Sequence, residues 1–312
     1  CSWHWRTIKM TDTTAAATSE TSHPAITLAL GGGGARGLAH IGVIEVLQER
    51  GLYVEAVAGT SCGALVGGAF AAGKLDELRD WMLKTSRNQM LRLLDPGLGR
   101  PAMFTGTRLV RALREVIGEP RIEELPIDFT AVAVDLHRQR EVWLRRGDLW
   151  DALRASFAIP GIFTPLMVGE MALVDGGLLS PLPITATRLA SRHRVIAVDI
   201  NGSASAYRDT LPLRETDASL RTAGTGPYGR RAKPYSLGTL LSQDNLNLVE
   251  VISRTMDTMQ ARITRVQLAL DPPDLLIQIP RDACLFYEFW RAAELIEIGR
   301  RAAEAALDAA GF

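Results

Sequence analysis

Residues 26–63 read ITLALGGGGARGLAHIGVIEVLQERGLYVEAVAGTSCG, and the order of apolar runs and glycines within them decides the fold. Residues 26–30 form a short apolar run that stops at four glycines, which reads as a buried strand meeting a tight turn. Residues 35–50 follow with Leu38, Ile41, Val43, Ile44 and Leu47 at helical spacing, and Gly51 stands as a C-cap. Residues 56–60 predict a second strand. Residues 62–72 are small and apolar and end at Gly73, as suits a buried helix packed close to a sheet.

The same alternation continues outward. Thr107 is placed to cap a helix over 108–117, whose Leu109, Val110, Leu113, Val116 and Ile117 share one face. Residues 129–134 are rich in β-formers, and 141–144 can pair with them or with a neighbour. Leu173 and Val174 lead as a strand into Asp175-Gly176-Gly177, and 195–200 form a late strand. Alternating strands and helices predict an α/β fold, a three-layer α/β/α sandwich around a mostly parallel sheet. Residues 201–244 are rich in Ser, Thr, Gly, Pro and Arg without periodicity and read as a long mobile loop. From Leu246 onward, Val249, Ile252, Met256, Met259, Ile263 and Val266 repeat at three-four spacing and predict a core-packing helix rather than a membrane- or partner-facing one. Residues 275–279 can add a strand, and 289–310 close the chain as an Ala-rich helix. The expected organisation is a flexible leader over 1–24 and one domain over 25–312, with a motif-bearing core at 26–190 and helical completion over 245–312.

Composition sets limits on function. The 312 residues carry 35 Lys plus Arg and 35 Asp plus Glu, so no net charge draws the chain to nucleic acid. The cluster Arg138, Arg140, Arg145 and Arg146 reads as solvated surface. Cys1, Cys62 and Cys284 match neither a disulfide framework nor a metal site, and a reducing, cytoplasmic setting is expected. The longest apolar region, 26–47, is interrupted by Arg36, His40 and Glu45 and falls short of a membrane span. Cys1 would suit a lipid-anchored mature N-terminus, but no signal segment supports this; a truncated or over-extended reading frame is the preferred reading, with Met10 a candidate start.

Three motifs carry chemistry. Gly59-Thr60-Ser61-Cys62-Gly63 has the G-x-S-x-G form between a strand and a helix, a turn that lifts a serine hydroxyl out of the sheet beside a helix N-terminus. Flanking glycines are needed there because side chains would collide with the neighbouring elements. Gly31-Gly32-Gly33-Gly34-Ala35-Arg36-Gly37 also joins a strand to a helix. Its Gly32, Gly34 and Gly37 match the dinucleotide pattern, which keeps an NAD(P)-binding oxidoreductase open as an alternative. That pattern wants an acidic residue at the end of the second strand. Glu55 would begin that strand instead, and Thr60 and Ser61 stand where the carboxylate belongs. Successive glycine amides at a helix start can instead hold the oxyanion of ester cleavage. Asp175-Gly176-Gly177 read alone is a hairpin turn.

Taken in order, these motifs resemble the patatin-like phospholipase family. The stretch Ala155-Ser156-Phe157-Ala158-Ile159-Pro160-Gly161-Ile162-Phe163 is also similar to the family's loop before the D-G-G turn. The resemblance covers roughly 26–190 and implies a serine lipid acyl hydrolase of phospholipase A, lysophospholipase or carboxylesterase type. Ser61 would be the nucleophile, Asp175 the base, and the amides of Gly32, Gly33 and Gly34 the oxyanion hole. Arg36 would steady the loop or meet a head-group phosphate. Gly37, Gly59, Gly63, Gly176 and Gly177 would support the motifs. No cofactor or metal is implied. Burial beside an acyl pocket would raise the Asp175 pKa from the usual ~3.9 and improve it as a base.

The histidines agree with a two-residue engine. His4 and His23 fall in the leader and His40 inside the first helix. His137 follows a strand at a turn, and His193 precedes the 195–200 strand, at the opposite sheet edge from Ser61. Cys62, beside Ser61, is expected to point into helix packing. A non-catalytic scaffold of the same fold is the remaining alternative, disfavoured by the intact Ser61 and Asp175. The expected partner is a lipid or ester substrate. The substrate class implies peripheral membrane contact, with candidates at 88–104 (Met90, Leu91, Leu93, Leu94, Leu98, Met103 and Phe104) and at 201–244. For 88–104 a folded-down lid or core segment is the preferred reading over membrane contact.

Overall fold

A computed structural model describes residues 25–95, 102–188, 193–203 and 248–312. The leader at 1–24, Leu98 and all but the start of the 201–244 segment lie outside the described residues. In chain order the elements are β1 (Ala25–Leu30), α1 (Ala39–Glu49), β2 (Tyr53–Thr60), α2 (Cys62–Ala71), α3 (Leu75–Lys84), α4 (Arg87–Leu93) and α5 (Thr107–Ile117). Then come β3 (Asp128–Asp135), β4 (Arg140–Leu144), α6 (Leu149–Ser156), β5 (Leu166–Val168), β6 (Met171–Asp175) and α7 (Ile184–Thr187). The chain closes with β7 (Arg194–Gly202), α8 (Leu248–Leu270), β8 (Leu275–Pro280) and α9 (Ala292–Ala310).

The strands form one eight-stranded sheet in the order β5-β6-β3-β2-β1-β7-β8, with β4 also paired to β3. The central pairs β3-β2, β2-β1, β1-β7 and β7-β8 are parallel. Only β4, β5 and β6 introduce antiparallel pairing. Helices cover both faces, so the predicted three-layer α/β architecture holds. Alternation along each strand splits the core. Ile26, Leu28 and Leu30 bury against α1, α2 and α9. Ala29 and Ala58 face the layer that α7 and α8 cover. The small residues of α2 are all buried, so the helix backbone lies close to the sheet.

Several expectations need correction. The first helix does not begin at Ala35: Gly34–Leu38 is a 3-10 turn, and the α-helix starts at Ala39. Gly106, in the left-handed conformation, caps α5, and Thr107 is its first residue. Strand β7 runs to Gly202, so Asn201 and Gly202 belong to the sheet and not to the loop. The largest reversal concerns α8. Met259 and Val266 are 45% and 44% exposed, whereas Gln260 and Thr264 are buried at 6% and 2%. Ile252, Met256 and Ile263 are half-buried, so the inward face of this helix is mixed, with polar side chains where it meets polar groups. The Val249 side chain lies outside the described residues.

Helices α1 and α9 cross with glycine on each side of the contact. A Cβ built on Gly299 would sit 1.9 Å from the Ala39 carbonyl oxygen, and one on Gly42 would sit 2.0 Å from the Ile296 carbonyl oxygen. Helix propensity alone favours Gly299→Ala by about 1 kcal/mol. The clash is with backbone, which cannot rotate away, and overpacking of this kind costs about 1–3 kcal/mol. Gly299→Ala is therefore expected to destabilise the fold, lowering the urea midpoint; an unchanged or raised midpoint would contradict the close crossing.

Candidate active site

Register along β3 assembles the site. Strand β2 pairs with β3 as far as Thr60 opposite Val132. Strand β6 pairs antiparallel with β3 from Leu173 opposite Asp135 to Asp175 opposite Ala133. Strand β4 pairs with all of Ala131 to Asp135, so it occupies the other edge of β3. Strands β2 and β6 must then share one edge and meet end to end, with Thr60 and Asp175 on adjacent β3 residues. Gly176 fits this junction because a Cβ there would lie 2.3 Å from the Val132 carbonyl oxygen.

Ser61 is the turn between β2 and α2. Its φ of 55° and ψ of −122° are strained for a residue with a side chain. The strain is held by a relay: the Ser61 N–H donates to Ser156 Oγ at 2.9 Å, and Ser156 Oγ donates to the Val132 carbonyl at 2.6 Å. Gly59, Gly63 and Gly37 permit the packing around this turn. A Cβ on Gly63 would lie 2.3 Å from the Leu30 carbonyl, and one on Gly37 would lie 2.6 Å from Cys62 Sγ. Gly59 would meet the Gly63 carbonyl at 2.5 Å.

Asp175 ends β6 and is 1% exposed. Its Oδ1 accepts the Gly177 N–H at 2.7 Å. Burial raises its pKa from 3.8 to about 6, against the lowering effects of the Ser61 hydroxyl and the Gly177 amide. A carboxylate so placed can take a proton from Ser61 near neutral pH. The rival groups are quiet. Burial pushes the Cys62 thiol up to about 12 and the His40 imidazole down to about 4. His40 Nε2 donates to the Gly31 carbonyl at 2.8 Å, which makes it a structural donor. His193 pairs with Glu55 near the start of β2, and no histidine lines either cavity that contains Ser61. Glu55 is thus committed to a surface ion pair rather than a ribose.

The glycine loop departs from expectation at one position. Gly31 N–H donates to the Val198 carbonyl at 3.0 Å and Gly32 N–H to the Pro181 carbonyl at 2.8 Å. Gly32 therefore anchors the loop and has no amide to offer an oxyanion. The amides of Gly33 and Gly34 have no acceptor among the described residues, and both glycines line a cavity with Ser61 and Asp175. Gly34 holds φ +64°, and a Cβ on it would lie 2.3 Å from the Phe286 carbonyl oxygen, so only glycine fits.

Arg36 also requires correction. It is 2% exposed and cannot reach a head group. Its guanidinium donates to the Arg281 carbonyl at 3.1 Å, Asn201 Oδ1 at 2.9 Å and Asp257 Oδ1 at 2.7 Å. Asn201 Nδ2 donates in turn to the Gly32 carbonyl at 2.9 Å. Arg36 is a strut between the glycine loop, β7 and α8.

Two cavities meet at Ser61. One, of about 20 Å³, is lined by Gly33, Gly34, Ser61, Asp175, Asp257 and Gln260 among others. The other, of about 220 Å³, is almost wholly apolar and includes Leu65, Met82, Met90, Leu109, Leu113 and Phe163 in its wall. The 88–104 region supplies part of that wall through Met90, Leu91, Leu94 and Phe104; Met90 is buried and Leu91 half exposed. Among the described residues no group of His, Cys, Asp or Glu is arranged to hold a metal ion, and no helix is long and apolar enough to cross a membrane.

A strained serine beside a buried carboxyl, on a mostly parallel sheet and at the mouth of an apolar chamber, defines an acyl hydrolase of the α/β class. The patatin-like phospholipase model matches residues 28–188, and the chain belongs to that family. An NTE family protein of Mycobacterium tuberculosis is 37% identical over 92% of each chain. Patatin-like phospholipase domain-containing protein 6 of Mus musculus is 33% identical over 60% of this chain and 14% of its own. The crystal structure of VipD from Legionella pneumophila superposes with a TM-score of 0.46 at 14% identity, over 92% of this chain and 67% of that one. Membership makes this chain one of a family of lipid acyl hydrolases.

Sequence reading missed Asn201, Asp257, Gln260 and Phe286. The one available signal was polar residues at Ser253, Asp257, Gln260 and Thr264, spaced along one face of a helix whose apolar residues looked like the core side.

The raised Asp175 pKa carries a stability cost. A carboxyl titrating at about 6 when folded and 3.8 otherwise costs nothing below 3.8. The cost grows between the two values and is fully present above 6, at about 3 kcal/mol. Asp175→Asn removes it while keeping an oxygen for the Gly177 amide. The variant is expected to melt higher than the parent at pH 8 and to lose that advantage near pH 4, by circular dichroism. An equal or lower melting temperature at pH 8 would show that Asp175 is not penalised by burial.

Proposed function

We propose that this protein hydrolyses carboxylic esters of lipids through an acyl-enzyme on Ser61, with Asp175 as the only side-chain base. Ser61 Oγ attacks the ester carbonyl while Asp175 takes its proton. The Gly33 and Gly34 amides hold the oxyanion, and Asp175 passes the proton to the departing alcohol. Water then releases the acid. The observation that supports this most is the position of Ser61 and Gly34 in the walls of both cavities. An ester whose carbonyl lies at Ser61 can place its acyl chain in the apolar chamber and its alcohol on the polar side. The dinucleotide reading lacks its carboxylate, since Thr60 and Ser61 occupy that place and Glu55 faces His193.

Ser61→Ala is expected to abolish hydrolysis across a panel of phospholipids, lysophospholipids and simple esters, with an unchanged circular dichroism spectrum. A fluorophosphonate should label the parent at Ser61 and leave the variant unlabelled. A folded parent that is neither labelled nor active would favour the scaffold reading. The base must be ionised, so kcat/KM should rise with pH through an acid limb near 6. A limb near 4 would mean that Asp175 is solvated during turnover.

The chamber also sets chain length. A cavity of 150 Å³ accepts benzene, so one of about 220 Å³ takes roughly nine carbons. Leu109→Trp narrows it from α5. Turnover of an octanoyl ester should fall far more than that of an acetyl ester; equal losses would place the acyl chain elsewhere.

A further inference from the structure

Helix α8 contributes one side chain to the site that the mechanism above does not use. Gln260 is 6% exposed, and its amide lies against the D-G-G turn. It lines the small cavity together with Ser61 and Asp175. Its Nε2 would lie 2.3 Å from a Cβ on Gly177, so the second glycine of the D-G-G turn is the space this amide occupies. Gly177 is the residue whose N–H orients Asp175 Oδ1. Helix α8 turns this side chain to the cavity while Met259, the adjacent residue, is 45% exposed. The cavity itself, at about 20 Å³, has the room of one water molecule and is lined by the polar partners such a water needs.

We propose that Gln260 is a further catalytic residue, holding the water that cleaves the acyl-enzyme. This rests on the Ser61 acyl-enzyme described above. With the acyl chain in the apolar chamber, the polar cavity is the side open to water. The Gln260 amide and the Asp175 carboxylate hold the water between them. Its oxygen forms a bond to the acyl carbonyl carbon as Asp175 accepts its proton. The tetrahedral intermediate then collapses, breaking the bond to Ser61 Oγ, and Asp175 returns the proton to that oxygen. The product acid leaves and Ser61 is restored.

The test separates acylation from deacylation. Gln260→Met keeps the size of the side chain and removes its hydrogen bonds; Gln260→Asn keeps the amide and withdraws it from the cavity. Each is mixed with 4-nitrophenyl octanoate in a stopped-flow instrument, and the acyl-enzyme fraction is measured by intact-protein mass. The expected result is a steady-state rate lowered roughly tenfold, as for loss of one hydrogen bond to the reacting group. The 4-nitrophenol burst rate should be unchanged and the acylated fraction higher than in the parent. A purely structural role would lower burst and steady state together, and that outcome overturns the proposal, as does an unchanged steady state in both variants. If Gln260→Met fails to fold, Gln260→Asn decides. A parent that never acquires the acyl mass, and matches Ser61→Ala in this, would remove the hydrolase reading itself and Gln260's role with it.

Discussion

The constraint on which the site depends is the shared edge of β3. A strand offers each neighbour one row of hydrogen-bonding groups. Here that row is divided between two strands arriving from opposite directions. Strand β2 uses it up to Val132, and β6 uses it from Ala133 onward. Each strand ends where the other begins, so the residues at their tips face one another without any long-range side-chain contact having to bring them together. Ser156 fastens the junction by accepting from Ser61 N–H and donating to the Val132 carbonyl. Ser61 and Asp175, 114 positions apart in sequence, are thus brought together by backbone pairing.

Placing Ser61 and Asp175 at a strand junction also fixes the electrostatics there. The junction is interior to the sheet, so Asp175 loses its solvent and its pKa rises to about 6. The same burial that penalises the folded state raises the basicity of this carboxylate, which the proposed mechanism requires. Cations are kept from undoing this. Arg36, the buried cation of the glycine loop, is committed to Asn201, Asp257 and the Arg281 carbonyl. It is absent from the causes that set the Asp175 pKa. Asp257 and Asn201 therefore do two things at once: they accept from a buried guanidinium and hold the loop whose Gly33 and Gly34 line the small cavity with Ser61.

Much of this was legible in residue order. The apolar runs, the glycines at their ends and the alternation of periods specify a mostly parallel sheet, because those signals are local. Ser61 was legible because a glycine-flanked serine between strand and helix has few purely structural uses. Asp175 was legible only through its companions, since a lone Asp-Gly is a turn. What could not be read was nonlocal. Gly32 is indistinguishable in sequence from Gly33 and Gly34, and only the Pro181 carbonyl separates their roles. The antiparallel arrival of β6 depends on register, which no short window encodes. Asn201 lay in a polar stretch that hides the end of β7.

The misreading of α8 has a physical lesson. Periodicity identifies the two faces of a helix, and the usual step is to bury the apolar one. That step assumes that the helix packs against hydrocarbon. Helix α8 packs against the 3-10 turn that follows Asp175 and against β7, where a guanidinium, a carboxyl and free amides await partners. Asp257 pairs there with a guanidinium that an apolar side chain would strand, and a stranded group costs about 1–3 kcal/mol. Turning Asp257 inward to the Arg36 guanidinium therefore outweighs the gain from hiding Met259 and Val266. An amphipathic helix beside a catalytic junction is oriented by the chemistry it faces, and its outward apolar residues follow from that choice.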